Sequence, residues 1–243
     1  STRTVDGAEA LSVNAGTGTV EIGGTATLSS LTISDASQVD LGNVVTTGLQ
    51  SITGTNIDLN GTAYTSTTAS ISFNGAVDLG APATSVTTDG NINFTGTVDG
   101  TQAGTQALNL QAGSGGDITV TGAIGSSTAV DALDFDGKDI SIANIGGAAA
   151  GVTNATDINA VNQLTFKGTT YNANQATYTA AAGNNLLVNG ATTTYTATDD
   201  AIAFNTANLQ LANGSDLVVT SGGGAITALG IRGTSSEDVT LTS

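Results

Sequence analysis

TVDGTQAGTQALNLQAGSGGDITVTG, residues 97–122, is the stretch whose reading decides the fold. Two short runs in it alternate apolar and polar residues, Leu108/Leu110 and Ile118/Val120, and a glycine-rich turn separates them. Alternation at period two marks a strand with one buried face, and glycines between such runs mark tight turns. The same phrase occurs from Thr4 as TVDGAEALSVNAGTGTVEIGG, with the pairs Leu11/Val13 and Val20/Ile22. A weaker copy near Ala207, ANLQLANGSDLVVTSG, carries Leu209/Leu211 and Leu217/Val219.

Other phrases recur between these landmarks. LNGTAY (59–64) matches FKGTTY (166–171), FNGA (73–76) matches VNGA (188–191), and TDGNINF (88–94) resembles TDDAIAF (198–204). The spacing predicts a repeat of about 100 residues, running approximately 4–96, 97–206 and, in part, 207–243, within one continuous unit over 1–243. Within each copy short alternating runs such as SLTIS, QVDL, NIDL, SISF and DISI follow one another, bounded by Asn-Gly, Asp-Gly or Gly. No window shows helical apolar spacing, and the alanine stretch near Ala148 is short and followed by Gly151. The chain therefore reads as all-β.

Two architectures suit short, evenly spaced strands: a parallel β-helix, or tandem β-sandwiches of about 100 residues each. The absence of a linker between copies, the single proline (Pro82) and the lack of Trp favour the coil. At about 20 residues per coil the chain would make about 12 rungs, a rod near 60 Å long. Leu110 and Val120 should face inward, and Gln111 and Thr119 outward. Stacked Asn and Thr on the outer surface would form ladders.

Composition narrows function by exclusion. Twenty acidic residues face four basic ones (Arg3, Lys138, Lys167, Arg232), a formal net charge of -16. Clustered cations for nucleic-acid phosphates or an anionic lipid surface are missing. The absence of His and Cys removes thiol chemistry, zinc sites of the usual kind and any Ser-His-Asp triad. No stretch is apolar over a membrane-spanning length. With no Met at its start and no signal peptide, Ser1 reads as an internal cut, and the segment is expected to be a monomeric piece of a longer chain.

GNINFTGTVDGTQAGTQALNLQAGSGGDITVTGAIGSSTAVDALDF (90–135) and SSLTISDASQVDLGNVVTTGLQSITGTNIDLNG (29–61) resemble the repeats of filamentous-haemagglutinin-like giant bacterial surface and secreted proteins. The likeness spans most of 4–142 and loosens over 147–200. It implies a right-handed parallel β-helix, an extracellular or cell-surface location, and a stalk or adhesive role towards other cells, extracellular surfaces or glycans. It brings no catalytic motif.

AGSGGDITV (112–120) has a partial likeness to the calcium nonapeptide, with Asp117 as the ligand, but in the other copies, AGTGTVEI and ANGSDLVV, that Asp is absent or shifted. Asp134, Asp136 and Asp139 in LDFDGKDIS are the densest acidic group, with Asp134 and Asp136 on one outer face and Lys138 as their counterion; Asp199 and Asp200 form a lesser pair. Calcium is conceivable at the first two places, yet no acidic group recurs in register between copies, so the reading is no metal and no cofactor. Thr192, Thr194, Thr196 and Thr198, like Thr17 and Thr19, could order water on a flat face, but the runs do not recur at a coil spacing. The sequons at Asn60, Asn93, Asn154 and Asn213 are what Asn- and Thr-rich sequence supplies by chance. A polysaccharide-degrading β-helix enzyme would need paired carboxylates with aromatic and basic help. With five Phe, four Tyr and four basic residues, the chain is read as structural or adhesive rather than enzymatic, with a glycan- or protein-binding module as the alternative.

Overall fold

The computed structural model describes residues 5–147, 151–181 and 186–243; Arg3 and the alanines at 148–150 lie outside that set. The described chain is all-β, without helix, and its strands stack in parallel into a β-solenoid of about ten turns. A strand pairs not with its neighbour in sequence but with the strand one coil further on. Tandem sandwiches would instead have joined successive strands into antiparallel hairpins, so that alternative is set aside.

Each coil has three faces. On the first, Val5 pairs with Ala26, Ala26 with Val44 and Val44 with Tyr64, and the column continues through Val86, Leu110, Phe135, Ile158, Tyr178 and Phe204. On the second, Ile33, Ile52, Phe73, Phe94 and Val120 lie in register. On the third, Val20, Val39, Ile57, Val77 and Val98 do, and the column runs on to Val219. These columns explain the alternation in the sequence. One side chain in two points into a shared interior, and parallel register places like residues on like at ~4.8 Å. Leu110 and Val120 are 0% and 1% exposed, while Gln111 and Thr119 are partly exposed, as the alternation requires. Each buried Leu, Ile or Phe contributes roughly 1.5–3 kcal/mol of transfer free energy. The stacking is visible in the rings: Phe73 and Phe94 lie 4.9 Å apart and 30° from parallel, Tyr171 and Tyr195 4.8 Å apart and 16° from parallel.

The coils are longer and more variable than 20 residues. A coil takes 18 residues from Ala26 to Val44 but 26 from Tyr178 to Phe204. Excess residues sit in turns between faces, such as those around Gly104 and Gly113, so about ten coils form instead of 12. The rod is correspondingly nearer 50 Å than 60 Å at ~4.8 Å per coil.

The corner between the second and third faces is set by Gly54, Gly75, Gly96 and Gly122, stacked one above another. A Cβ on Gly96 would overlap the carbonyl of Gly75, and one on Gly122 the carbonyl of Gly96. Coils can approach to sheet spacing at this corner only because no side chain stands there.

The interior is not wholly apolar, which the alternation did not anticipate. Gln50 occupies a position between Leu31 and Ile71 in the second face and is fully buried. Its Nε2 donates to the Thr65 carbonyl at 2.8 Å and to Thr46 Oγ1 at 3.3 Å. Thr46, Ser66 and Thr88 form an inward column beside it. Thr46 and Ser66 both donate to the Gly48 carbonyl, at 2.6 and 2.8 Å, and Thr88 donates to the Ala69 carbonyl. Chain leaving the first face exposes carbonyls to the interior, and these hydroxyls satisfy them at a place where an orphaned acceptor would cost roughly 1–3 kcal/mol.

Candidate functional site

The outward half of each alternating run makes the surface, and the three faces differ in chemistry. The second face carries Thr32, Ser51, Ser72, Asn93, Thr119 and Ser141 in one column, without charge. Side chains bridge the coils there: Asn93 Nδ2 donates to Ser72 Oγ at 3.3 Å, and Asn74 Nδ2 to Thr53 Oγ1 at 3.4 Å. These are the expected polar ladders.

The third face is acidic. Glu21 pairs with Asp40, Asp40 with Asp58, Asp58 with Asp78 and Asp78 with Asp99, one per coil. This corrects the expectation that no acidic group recurs in register. The phrases that build the column, VEI, VDL, IDL, VDL and VDG, are legible in the sequence, but their period is one coil and not the longer repeat of about 100 residues. The adjoining outward column, Thr19, Gln38, Asn56 and Ala76, is uncharged. Gln38 Nε2 donates to Asp40 Oδ1 at 3.0 Å. Burial raises Asp58 above the usual carboxylate range, reinforced by a side-chain hydrogen bond with Asp40 and by the charges of Asp40 and Asp78. Burial likewise raises Asp78, with Asp99 adding to it. Asp99 is 7% exposed and accepts from the backbone N–H groups of Ser127 and Thr128, at 2.8 and 3.1 Å.

Of the acidic residues singled out from sequence, Asp134, Asp136 and Asp139 lie in the strand Leu133–Ile142, the first two on the first face. Asp134 and Asp136 do share its outer side. Asp134 accepts from Asn109 Nδ2 at 2.9 Å, and Asp136 accepts from Gln111 Nε2 at 2.9 Å and Asn159 Nδ2 at 3.1 Å. Asp139 stands apart beyond the bend at Gly137, accepting from Asn162 Nδ2 at 2.6 Å. Within this group Lys138 is the counterion of Asp139, at 3.5 Å, and not of Asp134 or Asp136; its Nζ also lies 4.0 Å from Asp117. The neighbour that sequence reading missed is Asp157, in register with Asp134. Burial raises both carboxyls, with Asp136 the next cause in each case. Amides from adjoining coils thus occupy oxygens that a cation would otherwise take. Among the described residues no three acidic side chains converge as a metal-binding group.

Thr192, Thr194 and Thr196 lie outward on the strand Thr192–Thr196, as the alternation implied. Thr196 stacks between Asn172 and Thr220, but Val218 follows Thr194 in the neighbouring column and interrupts the array. Beside them a groove of about 600 Å³ is lined by Thr153, Asn172, Asn174, Thr196, Thr198 and Asp199, with Val152 and Ala173 at its floor. Its chemistry is that of hydroxyls and amides with one carboxylate. Asp200 is exposed and is not part of this lining.

No helix among the described residues is long and apolar enough to cross a membrane. Compared with protein families, with curated proteins and with solved structures, the chain matches none.

Proposed function

We propose that this chain is a spacer and contact segment of a giant bacterial surface or secreted protein, similar in kind to the filamentous haemagglutinins, holding an adhesive surface away from the cell in an extracellular setting. One observation carries the reading: a single interior of in-register apolar columns runs through the successive coils. In such a structure each coil contacts only its neighbours, so length and stiffness are set by coil number and tolerate changes on the outer surface. The polar ladders and the acidic third face keep that surface wetted and discourage lateral sheet growth.

The test is to display the segment on a cell at two lengths. Val98 and Val219 share one column through Ile124, Ile145, Tyr171 and Tyr195, so excising residues 99–219 removes whole coils. A spacer predicts graded weakening of attachment with the shortened rod still displayed. Abrupt loss of attachment would instead favour a specific site in the excised part. A glycan-binding module is the second reading, and the groove of Thr153, Asn172, Thr196 and Asp199 is what favours it. Chemical-shift changes confined to those residues on adding neutral oligosaccharides would support that reading, and their absence would remove it.

A further inference from the structure

The carboxylate column of the third face has a consequence beyond the spacer role. Glu21, Asp40, Asp58, Asp78 and Asp99 stand on successive strands in parallel register. Like charges directly opposite one another on paired strands are destabilising. At ~4.8 Å between strands, each carboxylate within the column meets one above and one below. Among the described residues, which do not include Arg3, the usual remedy of an interleaved Lys or Arg is missing. The adjoining outward residues are Thr19, Gln38, Asn56 and Ala76, and Lys138 is engaged with Asp117 and Asp139 elsewhere. Lys167 and Arg232 follow or occupy the second-face column, at Phe166 and opposite Gln210. The neighbouring carboxyls of Asp40 and Asp78 add to the burial that raises Asp58.

We propose that this column makes the rod acid-stabilised: mild acidification neutralises carboxyls at its centre and tightens the stacking of the coils across residues 21–99. The sign follows from linkage. Asp58 and Asp78 have folded-state values raised above the ordinary carboxyl, so between the two values the folded chain holds more protons than the unfolded one. Stability therefore rises as pH falls through the folded value, and the gain is complete below the unfolded value near ~3.9. Glu237 opposes this only lower down. Backbone N–H donation, chiefly from Ser235, holds it at about 2, and that contribution is lost as pH falls from its ordinary value of 4.5. The column is therefore followed from pH 8 down to about pH 5, above the range in which Glu237 loses its contribution and carboxyls of ordinary value take up protons.

The experiment follows Tm across that window for the wild type, for Asp58→Asn/Asp78→Asn, and for Asp6→Asn/Asp35→Asn. The last variant makes the same charge change at exposed positions outside the column. The wild-type Tm should rise on going from pH 8 to pH 5. The column variant should melt higher than wild type at pH 8, by roughly 2–4 °C or more for a chain of this size, with a flattened pH slope. The control should move less and keep the wild-type slope. Circular dichroism verifies that each variant is folded. A wild-type Tm that falls towards pH 5, a column variant no more stable than wild type at pH 8, or a control that matches it would each overturn the proposal. Asp134 and Asp157, also raised by burial, add to the wild-type slope, so the column is read from the difference between its variant and the wild type.

Discussion

At the scale of single residues, two tyrosines show how one phrase solves one local problem at two corners of the coil. Tyr64 Oη donates to the Leu41 carbonyl at 2.8 Å and accepts from Gly61 N–H at 3.0 Å. Tyr171 does the same with the Ile142 carbonyl and Gly168 N–H, at 3.2 and 2.8 Å. In both, an Asn of the preceding coil, Asn43 or Asn144, accepts from two successive N–H groups of the turn. The shared phrase GT-x-Y is therefore a turn device. Tyr64→Phe should cost about 1–2 kcal/mol in unfolding free energy, because it strands a buried donor and a buried acceptor. Tyr178 differs: its hydroxyl is buried without a partner among the described residues. Tyr178→Phe should be neutral or stabilising by up to ~1 kcal/mol, since it removes an unsatisfied group. Equal losses on denaturant titration would contradict this contrast. The alternation offers a second test. Leu110→Asp places an unpaired charge in the interior and should destabilise by ~4 kcal/mol or more. Thr119→Asp lies outward between Asn93 and Ser141 and should change stability by less than ~1 kcal/mol.

At the scale of elements, corners matter as much as strands. The strands Gln50–Leu59 and Ile71–Leu79 each serve two faces, bending where Gly54 and Gly75 lie. Gly75 adopts φ 150°, and its missing side chain admits the Gly54 carbonyl. Gly96→Ala should accordingly force neighbouring coils apart and lower Tm by several degrees, in line with backbone overlap costing a few kcal/mol. Gly115→Ala is the matched control: an added Cβ there meets nothing within 4 Å, so its Tm should stay within about 1 °C of wild type. Should both variants melt alike, the glycine column would not be what sets the corner.

At the scale of the whole molecule, the stack behaves as a ruler. Small-angle scattering should give an elongated particle of constant cross-section, and circular dichroism β-sheet without helix. Excising residues 99–219 should shorten the rod by roughly 24 Å at ~4.8 Å per coil while leaving the cross-section unchanged. Two lobes joined at a waist would contradict the single solenoid. The register also settles what the long repeat is. The apolar pairs of the copies at Thr4 and near Ala207 fall on the second and third faces, whereas Leu108/Leu110 and Ile118/Val120 fall on the first and second. Copies alike in sequence are therefore displaced by one face. The fold accepts this because every face asks for the same pattern of inward apolar and outward polar residues.

That indifference separates what could be read from sequence from what could not. Strand content, the inward residues and the parallel coil follow from local rules: alternation at period two, glycine at turns, and too few aromatic residues for a sandwich core. Asp134 and Asp136 on one outer face are legible for the same reason, being two apart on one strand. Which residues meet across coils is another matter, because it depends on coil length, and that varies from 18 to 26 residues with the turns. The five carboxylates of the third face, the pairing of Asp134 with Asp157, the contact of Lys138 with Asp117, and the buried seam of Gln50, Thr46, Ser66 and Thr88 are all contacts between coils. Only the tertiary structure decides them, because a single residue more or less in a turn would shift every later residue relative to the coil beneath it.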